Sequence, residues 1–585
     1  MASRTAADVL IDALEDWGVS VIFGLPGDGI NGIMESLRQR QERVRFVQVR
    51  HEESAAFMAC AYAKYTGKLG VCLSTSGPGA IHLLNGLYDA KLDGASVLAI
   101  TGMPYHDLIG TWTQQDVQTD RLFSDVAAVS ERIMGPAHVE TITDMACRAA
   151  MDYHTVAHIA FPVDLQSAEM GKDKRSKRNI AGHSSDVAID EGVIPPTVDL
   201  KLAAAILNDG KRIAILAGRG ALRASHELEL TAAMLGAPVI KALLGKGAMA
   251  DDSAYTTGGI GLLGTRPSQD AIESCDTLLI VGSSFPYIEY YPKPGQARCV
   301  QIELDPKRIG MRYPVDVGLV GDAARTLRAL LPLLQNHADR SFLENAQAGM
   351  REWRQLLFTQ ATADGRPMKP QAVVHQLDQH LAENAIISLD SGTVTQWGAR
   401  YVNIKGSQML SVSGTLASMG CALPYAIAAQ IAHPERQCVA LCGDGGFTMT
   451  MGELATAVKY KLPIKVVVLN NSSLGMIKWE QMVFLGNPEY GCELEKIDFA
   501  AFARACGAEG FSVDDPKDLP RVLDDAMAID GPVVIDATVD PYEPPMPPKV
   551  TKDQALHFAR ALLKGEPNRE KIALTVISDK VREMV

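Results

Sequence analysis

The sequence predicts an α/β protein made of three doubly wound parallel-sheet domains. Three observations carry this. At 585 residues the chain is too long for a single core and has the length of three or four domains. Short apolar runs alternate with helical stretches along most of it, the pattern of βαβ units. Many of these runs end in glycine or polar turns, which a doubly wound sheet gathers along the edge where its ligand binds. The expected divisions are residues 1–180, 191–345 and 365–548, followed by a helical tail over 549–585.

Composition narrows the class further. Hydrophobic residues make up 47% and charged residues 21%, the balance of an ordinary soluble enzyme. A net charge of −13 argues against nonspecific nucleic-acid binding, which needs a basic surface. Ten scattered cysteines without a CxxC pair read as reduced core residues of a cytoplasmic protein, not as a zinc site or a disulfide framework. The N-terminal stretch reads as an amphipathic helix interrupted by Asp8, Asp12, Glu15 and Asp16, not as a signal peptide. No apolar run approaches the roughly 18 residues of a membrane-spanning helix.

In the first domain, a helix over 5–17 leads to a strand over 19–23 and the turn from Gly24 to Gly29, which includes Pro26. A strand over 46–49 runs into Arg50-His51-Glu52-Glu53 and an alanine-rich helix over 54–65. A strand over 70–73 meets Thr75-Ser76-Gly77-Pro78-Gly79, and strands over 96–100 and 157–163 complete the sheet. Glu52 is the first candidate for an essential carboxylate, because a strand-to-helix junction can aim it into a cleft and burial can hold it protonated or strongly hydrogen-bonded. As a lone residue it is an ordinary helix-start acid. His51 reads as support for the turn. Residues 171–196 read as a linker, and its basic cluster of Lys172, Lys174, Arg175, Lys177 and Arg178 as a solvated loop.

The middle domain begins with a helix over 197–207 and a strand over 213–216 that ends at Gly218-Arg219-Gly220. A helix over 225–235, a strand over 239–241 and the glycine-rich stretch 258–265 follow. Strands over 277–281 and 299–304 end at Gly282-Ser283-Ser284-Phe285 and at Asp305, and Val320 leads to Gly321-Asp322. Such strand ends fit a dinucleotide lying across the sheet. With no GxGxxG and distal acid, a pyridine-nucleotide dehydrogenase is disfavoured. Residues 341–370 read as a second linker.

In the third domain a strand over 385–389 ends at Asp390-Ser391-Gly392-Thr393-Val394, whose backbone can reach phosphate oxygens, and 411–430 is a run of small residues around Met419 that ends in a helix. Residues 441–475 are the centre of the chain: a strand over 438–442, the turn Gly443-Asp444-Gly445-Gly446, a helix over about 450–461, a strand over 464–469 and Asn470-Asn471. Parallel neighbours bring their carboxyl ends to one edge, so Asp444 and Asn471 become neighbours although 27 residues apart. Glycine N–H groups, with those of Gly445 and Gly446 foremost, can face an anion, while a carboxylate and an amide oxygen suit Mg²⁺ held against a diphosphate. After Gly475, Met476 to Glu480 open a helix that covers this edge; a strand over 533–538, a proline-rich segment and helices over 551–563 and 572–584 close the chain.

The Gly-Asp-Gly to Asn-Asn pattern resembles the thiamine-diphosphate signature, and nearly the whole chain resembles the acetolactate synthase and pyruvate oxidase family, most closely its flavin- and quinone-dependent pyruvate dehydrogenase branch. The resemblance implies that Asp444, Asn471 and the Ser473 carbonyl hold Mg²⁺, and that Glu52 hydrogen-bonds the thiamine pyrimidine. Met419 becomes the wedge under the cofactor instead of a plain core methionine, the Ala417 carbonyl holds the pyrimidine amino group, and Ile477 faces the thiazolium while Met476 and Trp479 form an apolar surface in the substrate pocket. Pro26, Thr75, Gly392, Thr393, Gly445 and Gly446 surround the same cofactor. In the middle domain the matching flavin positions are Gly218, Arg219, Gly220, Lys246, Gly264, Thr265, Ser283, Phe285, Asp305 and Asp322. A family Phe-Gln-Glu triplet facing substrate and flavin is matched by Gln114-Gln115-Asp116, so an amide replaces an aromatic ring in the acceptor pocket.

The resemblance implies thiamine diphosphate, Mg²⁺ and FAD as cofactors, and a 2-oxo acid, pyruvate first, oxidised to acetate and CO₂ with electrons passed through FAD to a quinone or O₂. The alternative is a carboligase or C–C lyase with a structural or absent flavin, favoured by Gln114, Met476 and Trp479. It further implies active sites between chains of a homodimer or homotetramer, and a C-terminal tail in peripheral membrane contact. Charged Lys571, Asp579, Lys580, Arg582 and Glu583 interrupt that tail's apolar periodicity.

Overall fold

Each of the three blocks folds around its own six-stranded sheet, in a computed structural model that describes residues 4–170, 175–180, 192–363 and 365–584. The first sheet holds β1 (Val21–Gly24), β2 (Arg45–Gln48), β3 (Gly70–Ser74), β4 (Val97–Met103), β5 (Ala127–Arg132) and β6 (Val156–Pro162), in the order β2-β1-β3-β4-β6-β5. The second holds β7 (Ile213–Ala217), β8 (Val239–Lys241), β9 (Thr256–Gly259), β10 (Thr277–Val281), β11 (Arg298–Glu303) and β12 (Val317–Val320), in the order β12-β11-β10-β7-β8-β9. The third holds β13 (Ile386–Leu389), β14 (Met409–Ser411), β15 (Cys438–Gly443), β16 (Lys465–Asn470), β17 (Glu509–Val513) and β18 (Val533–Thr538), in the order β14-β13-β15-β16-β18-β17. Every pairing within these sheets is parallel. Helices cover both faces, which is why β4, β6 and β7 are buried along their whole length.

Four strands lie outside the sequence-based expectation: β5, β9, β14 and β17, each at the edge of its sheet. The stretch 341–370 is not simply a linker, because it contains the helix Ser341–Ala361. The helix after the Gly-Asp-Gly turn starts at Asp444 and not near residue 450, so the turn glycines are themselves its first turn. Of the basic cluster, Lys172 and Lys174 lie outside the described residues, while Arg175 pairs with Glu140 at 2.7 Å and lays its segment against the first domain.

The first and third domains meet through helices Glu52–Thr66 and Ala422–Ala432. Buried alanines on both, including Ala55, Ala59, Ala422 and Ala426, let them pack closely in one continuous core. A polar knot crosses this joint. Lys64 donates to Asp93 at 2.7 Å, to Tyr425 Oη at 2.6 Å and to the Val412 carbonyl at 3.0 Å. Asp93 in turn accepts from the Gly414 and Thr415 N–H groups at 2.9 and 2.8 Å, fixing the start of the loop that carries Ala417 and Met419. The middle domain is fastened to the third by Asp251, which accepts from Lys241, Lys246 and the Ile404 N–H, and by Arg400, which donates to the Leu262 and Gly264 carbonyls. All ten cysteines are free and all but the half-buried Cys506 are buried. Among the described residues no helix is long and apolar enough to cross a membrane.

Candidate active site

The strand register builds the heart of the site. Gly443 lies opposite Leu469 across the β15–β16 pair, so the chain beyond each strand emerges at the same edge. There the Asp444 carboxylate accepts N–H groups from Gly445, Ser472 and Ser473, while Asn471 Oδ1 accepts from Ser473 at 3.0 Å. Asp444 is buried without a cationic partner, and burial pushes its carboxyl up to about 6. A buried acid beside amide and carbonyl oxygens is a donor set for a hard divalent cation, so these residues fit Mg²⁺.

Two further loops of the same domain close on this edge. Thr393, following Gly392, and Asn471 both lie against Gly475, and the Met419 methyl lies over Gly445. Asp390, at the end of β13, accepts from the Ser391 and Gly420 N–H groups at 2.8 Å each, while its Oδ2 has no hydrogen-bond partner. That oxygen occupies the place a Cβ on Gly446 would take, so only glycine allows this approach. Burial pushes the Asp390 carboxyl up to about 7. Ala417 and Ser472 adopt left-handed backbone, with φ of 56° and 52°, which for residues with a Cβ marks loops held in place by their surroundings. The glycine cradle at a helix start, the cation-poor acid and the exposed Ala417 together fit a diphosphate-bearing cofactor with its metal.

On the first domain, Glu52 opens its helix and is buried. His82 Nδ1 lies 2.9 Å from Glu52 Oε2, and the His82 ring stacks on His51 at 4.4 Å. His51 does support the turn: it caps the helix by accepting the Glu53 N–H at Nδ1. Glu453, from the third domain, accepts the Arg50 and His51 N–H groups at 2.9 and 3.0 Å. Thr75 accepts from the Gly29 N–H at 3.0 Å and joins the turn carrying the exposed Pro26 to the one after β3. Gln115, also left-handed at φ 60°, accepts from Ser76 Oγ at 2.6 Å, whereas Gln114 is exposed. Asp116 accepts the Gly110 and Trp112 N–H groups and thus holds its own loop together. His82, Asp390 and Glu453 were not among the sequence candidates.

The covering helix Gly475–Trp479 leaves Ile477 exposed. Trp479 is buried, its ring stacked on Phe558 of the tail helix Lys552–Leu563 with centroids 6.1 Å apart. Its remaining edge joins Met476, Val483, Pro544 and Leu262 around a narrow cleft between the third and middle domains.

The middle-domain positions lie at the carboxyl ends of its strands, and several have structural work of their own. Gly220 donates to the Gly282 carbonyl at 3.0 Å, and a Cβ on Gly220 would strike the Gly282 backbone, so two strand ends meet without side chains between them. Arg219 is half-buried, its guanidinium against Gly94 of the first domain, and the loss of solvent there lowers its pKa. Lys246 is paired with Asp251 at 2.9 Å. Thr265, with Gly264 before it, caps the helix Arg266–Ser274; Asp322 caps Ala323–Leu330; Asp305 accepts the Lys307 N–H at 3.1 Å. Ser283 is buried, and Phe285 packs with Tyr287, Tyr290 and Tyr291.

Comparison with known proteins gives the same division. Residues 4–122 match the N-terminal TPP binding domain of thiamine pyrophosphate enzymes, residues 200–330 their central domain and residues 390–537 their C-terminal TPP binding domain. The chain is 41% identical over 584 residues, all of both proteins, to a putative thiamine pyrophosphate-containing protein, YdaP, of Bacillus subtilis. It is 33% identical over 558 residues to a pyruvate oxidase of Lactiplantibacillus plantarum, covering 95% of this chain and 92% of that one. A probable acetolactate synthase large subunit of Methanocaldococcus jannaschii is 31% identical over 570 residues, 93% of each. With a strand-end cradle fit for a diphosphate and its metal, and family matches on all three sheets, the chain belongs to the thiamine-diphosphate-dependent family of acetolactate synthases and pyruvate oxidases.

Proposed function

We propose that this enzyme decarboxylates pyruvate oxidatively to acetate and CO₂ and passes the electrons through FAD to a quinone or O₂. Bound thiamine diphosphate supplies the electron sink that accepts the pair released with CO₂. The chain's own groups have these roles: Asp444, Asn471 and the Ser473 carbonyl hold Mg²⁺, the amides around Gly392, Gly445 and Gly446 meet the diphosphate, and Met419 supports the cofactor from below. Glu52 hydrogen-bonds the pyrimidine ring through its carboxyl. Gln115 and Ile477 border the substrate, and two copies of the chain complete each site. The observation supporting a flavin is the bare backbone meeting of the Gly218–Gly220 turn with Gly282, which leaves a strand-end edge clear for a dinucleotide.

The exposed amide of Gln114 favours a second reading, carboligation or C–C lysis with a structural flavin. Product analysis separates them: protein supplied with thiamine diphosphate, Mg²⁺, FAD, pyruvate and a quinone yields acetate stoichiometric with reduced quinone. Acetolactate, or CO₂ without quinone reduction, contradicts the proposal.

A further inference from the structure

Glu52 is not alone at the start of its helix. Its Oε2 lies 2.9 Å from His82 Nδ1, and the His82 ring is pinned on its other side by the stacked ring of His51. His51 is itself fixed, through the Glu53 N–H on its Nδ1 and the hold of Glu453 on its own N–H. Next to them Glu53 accepts from Asn85 at 2.6 Å, and Asn85 also donates to Ser418 Oγ at 2.9 Å. The imidazole thus stands between an anchored ring and the carboxyl, with its Nδ1 on Glu52.

We propose that His82 is the positioning residue for Glu52. Its Nδ1–H binds Oε2, sets the plane of the carboxyl and leaves Oε1 to face the cofactor. When a proton leaves Oε1 for the pyrimidine nitrogen, the charge left on the carboxylate is met by Nδ1–H, which stays on the imidazole. A lysine or arginine in this place would hold the acid ionised and deny it the proton it must donate; an imidazole N–H can hydrogen-bond either form. The proposal rests on the role given to Glu52 under Proposed function, and holds whatever the later fate of the substrate.

The test is exchange of the C2 proton of bound thiamine diphosphate for deuterium, measured by quenched flow and NMR in full-length protein with Mg²⁺ and no substrate, with cofactor affinity measured alongside. His82→Phe, which keeps a ring but no donor, is expected to lower the rate about ten- to a hundred-fold, the worth of one hydrogen bond to a charged group, with affinity nearly unchanged. His82→Asn, whose Nδ2 takes the place of Nδ1, is expected to restore most of it. Parental exchange in His82→Phe, or a loss that His82→Asn does not restore, overturns the assignment. If His82→Phe fails to bind cofactor, His82→Asn decides alone: near-parental exchange supports the proposal, and a loss as deep as in Glu52→Gln overturns it. If Glu52→Gln itself exchanges like the parent, the reading of Glu52 fails and this inference falls with it.

Discussion

Asp390 and Asp444 show what one buried carboxyl can do in two settings. Asp390 has no charged partner, and burial raises it from 3.8 to about 7. Between about pH 4 and 7 the folded protein therefore keeps a proton that the unfolded chain has released, so the contribution of this group to stability falls as pH rises through that window and is flat above it. Asp390→Asn removes the slope. It is expected to raise apo-protein stability by up to about 4 kcal/mol at pH 8 and by nothing near pH 4, which thermal unfolding at the two pH values checks. Asp444→Asn is expected to weaken Mg²⁺-dependent binding of thiamine diphosphate by at least about a hundredfold, read by calorimetry, and, because burial raises Asp444 to about 6, to stabilise the apo-protein at pH 8 by up to about 3 kcal/mol. Asp444 and Asn471 were legible in the sequence because the turn, the strand and the asparagine pair follow each other at a fixed spacing. His82 and Glu453 were not, because their partners, Glu52 and the Arg50–His51 backbone, are 30 and about 400 residues away and nothing in a lone histidine or glutamate announces them.

The elements divide in the same way. Interior strands such as β8, β10 and β18 were read with their observed ends, because burial on both faces demands unbroken apolar runs. The four missed strands are edge strands, for which pairing on one side and partial exposure remove that demand; β17 (Glu509–Val513) has only one fully buried residue. The helix Ser341–Ala361 was hidden likewise, since only Leu343 and Ala361 along it are buried. The helix Glu52–Thr66 makes the element-scale prediction. Lys64 is the cation hydrogen-bonded into the knot it shares with Asp89, Asp93 and Tyr425. Lys64→Met leaves two acids buried without it and is expected to cost about 3–5 kcal/mol, visible as a lower unfolding temperature of the apo-protein. A change within experimental error would show that the knot does not hold the first and third domains together.

At the scale of the molecule, the three-sheet plan was the most legible feature, because each domain repeats the same alternation of apolar run, polar turn and helix. The assembly was legible only through resemblance. If each site joins Glu52 of one chain to Asp444 of another, a mixture of Glu52→Gln and Asp444→Ala chains, refolded or co-expressed, recovers about a quarter of the parental sites although neither variant is active alone. Sites within single chains would recover none. Whether electrons from pyruvate enter a flavin on the middle domain, as proposed, is read by mixing the enzyme, loaded with thiamine diphosphate, Mg²⁺ and FAD, with pyruvate in the absence of oxygen while flavin absorbance and CO₂ are followed together. Bleaching in step with CO₂ release, and recovery of the oxidised spectrum on adding a quinone, are expected. CO₂ release beside a flavin that stays oxidised would contradict the proposal.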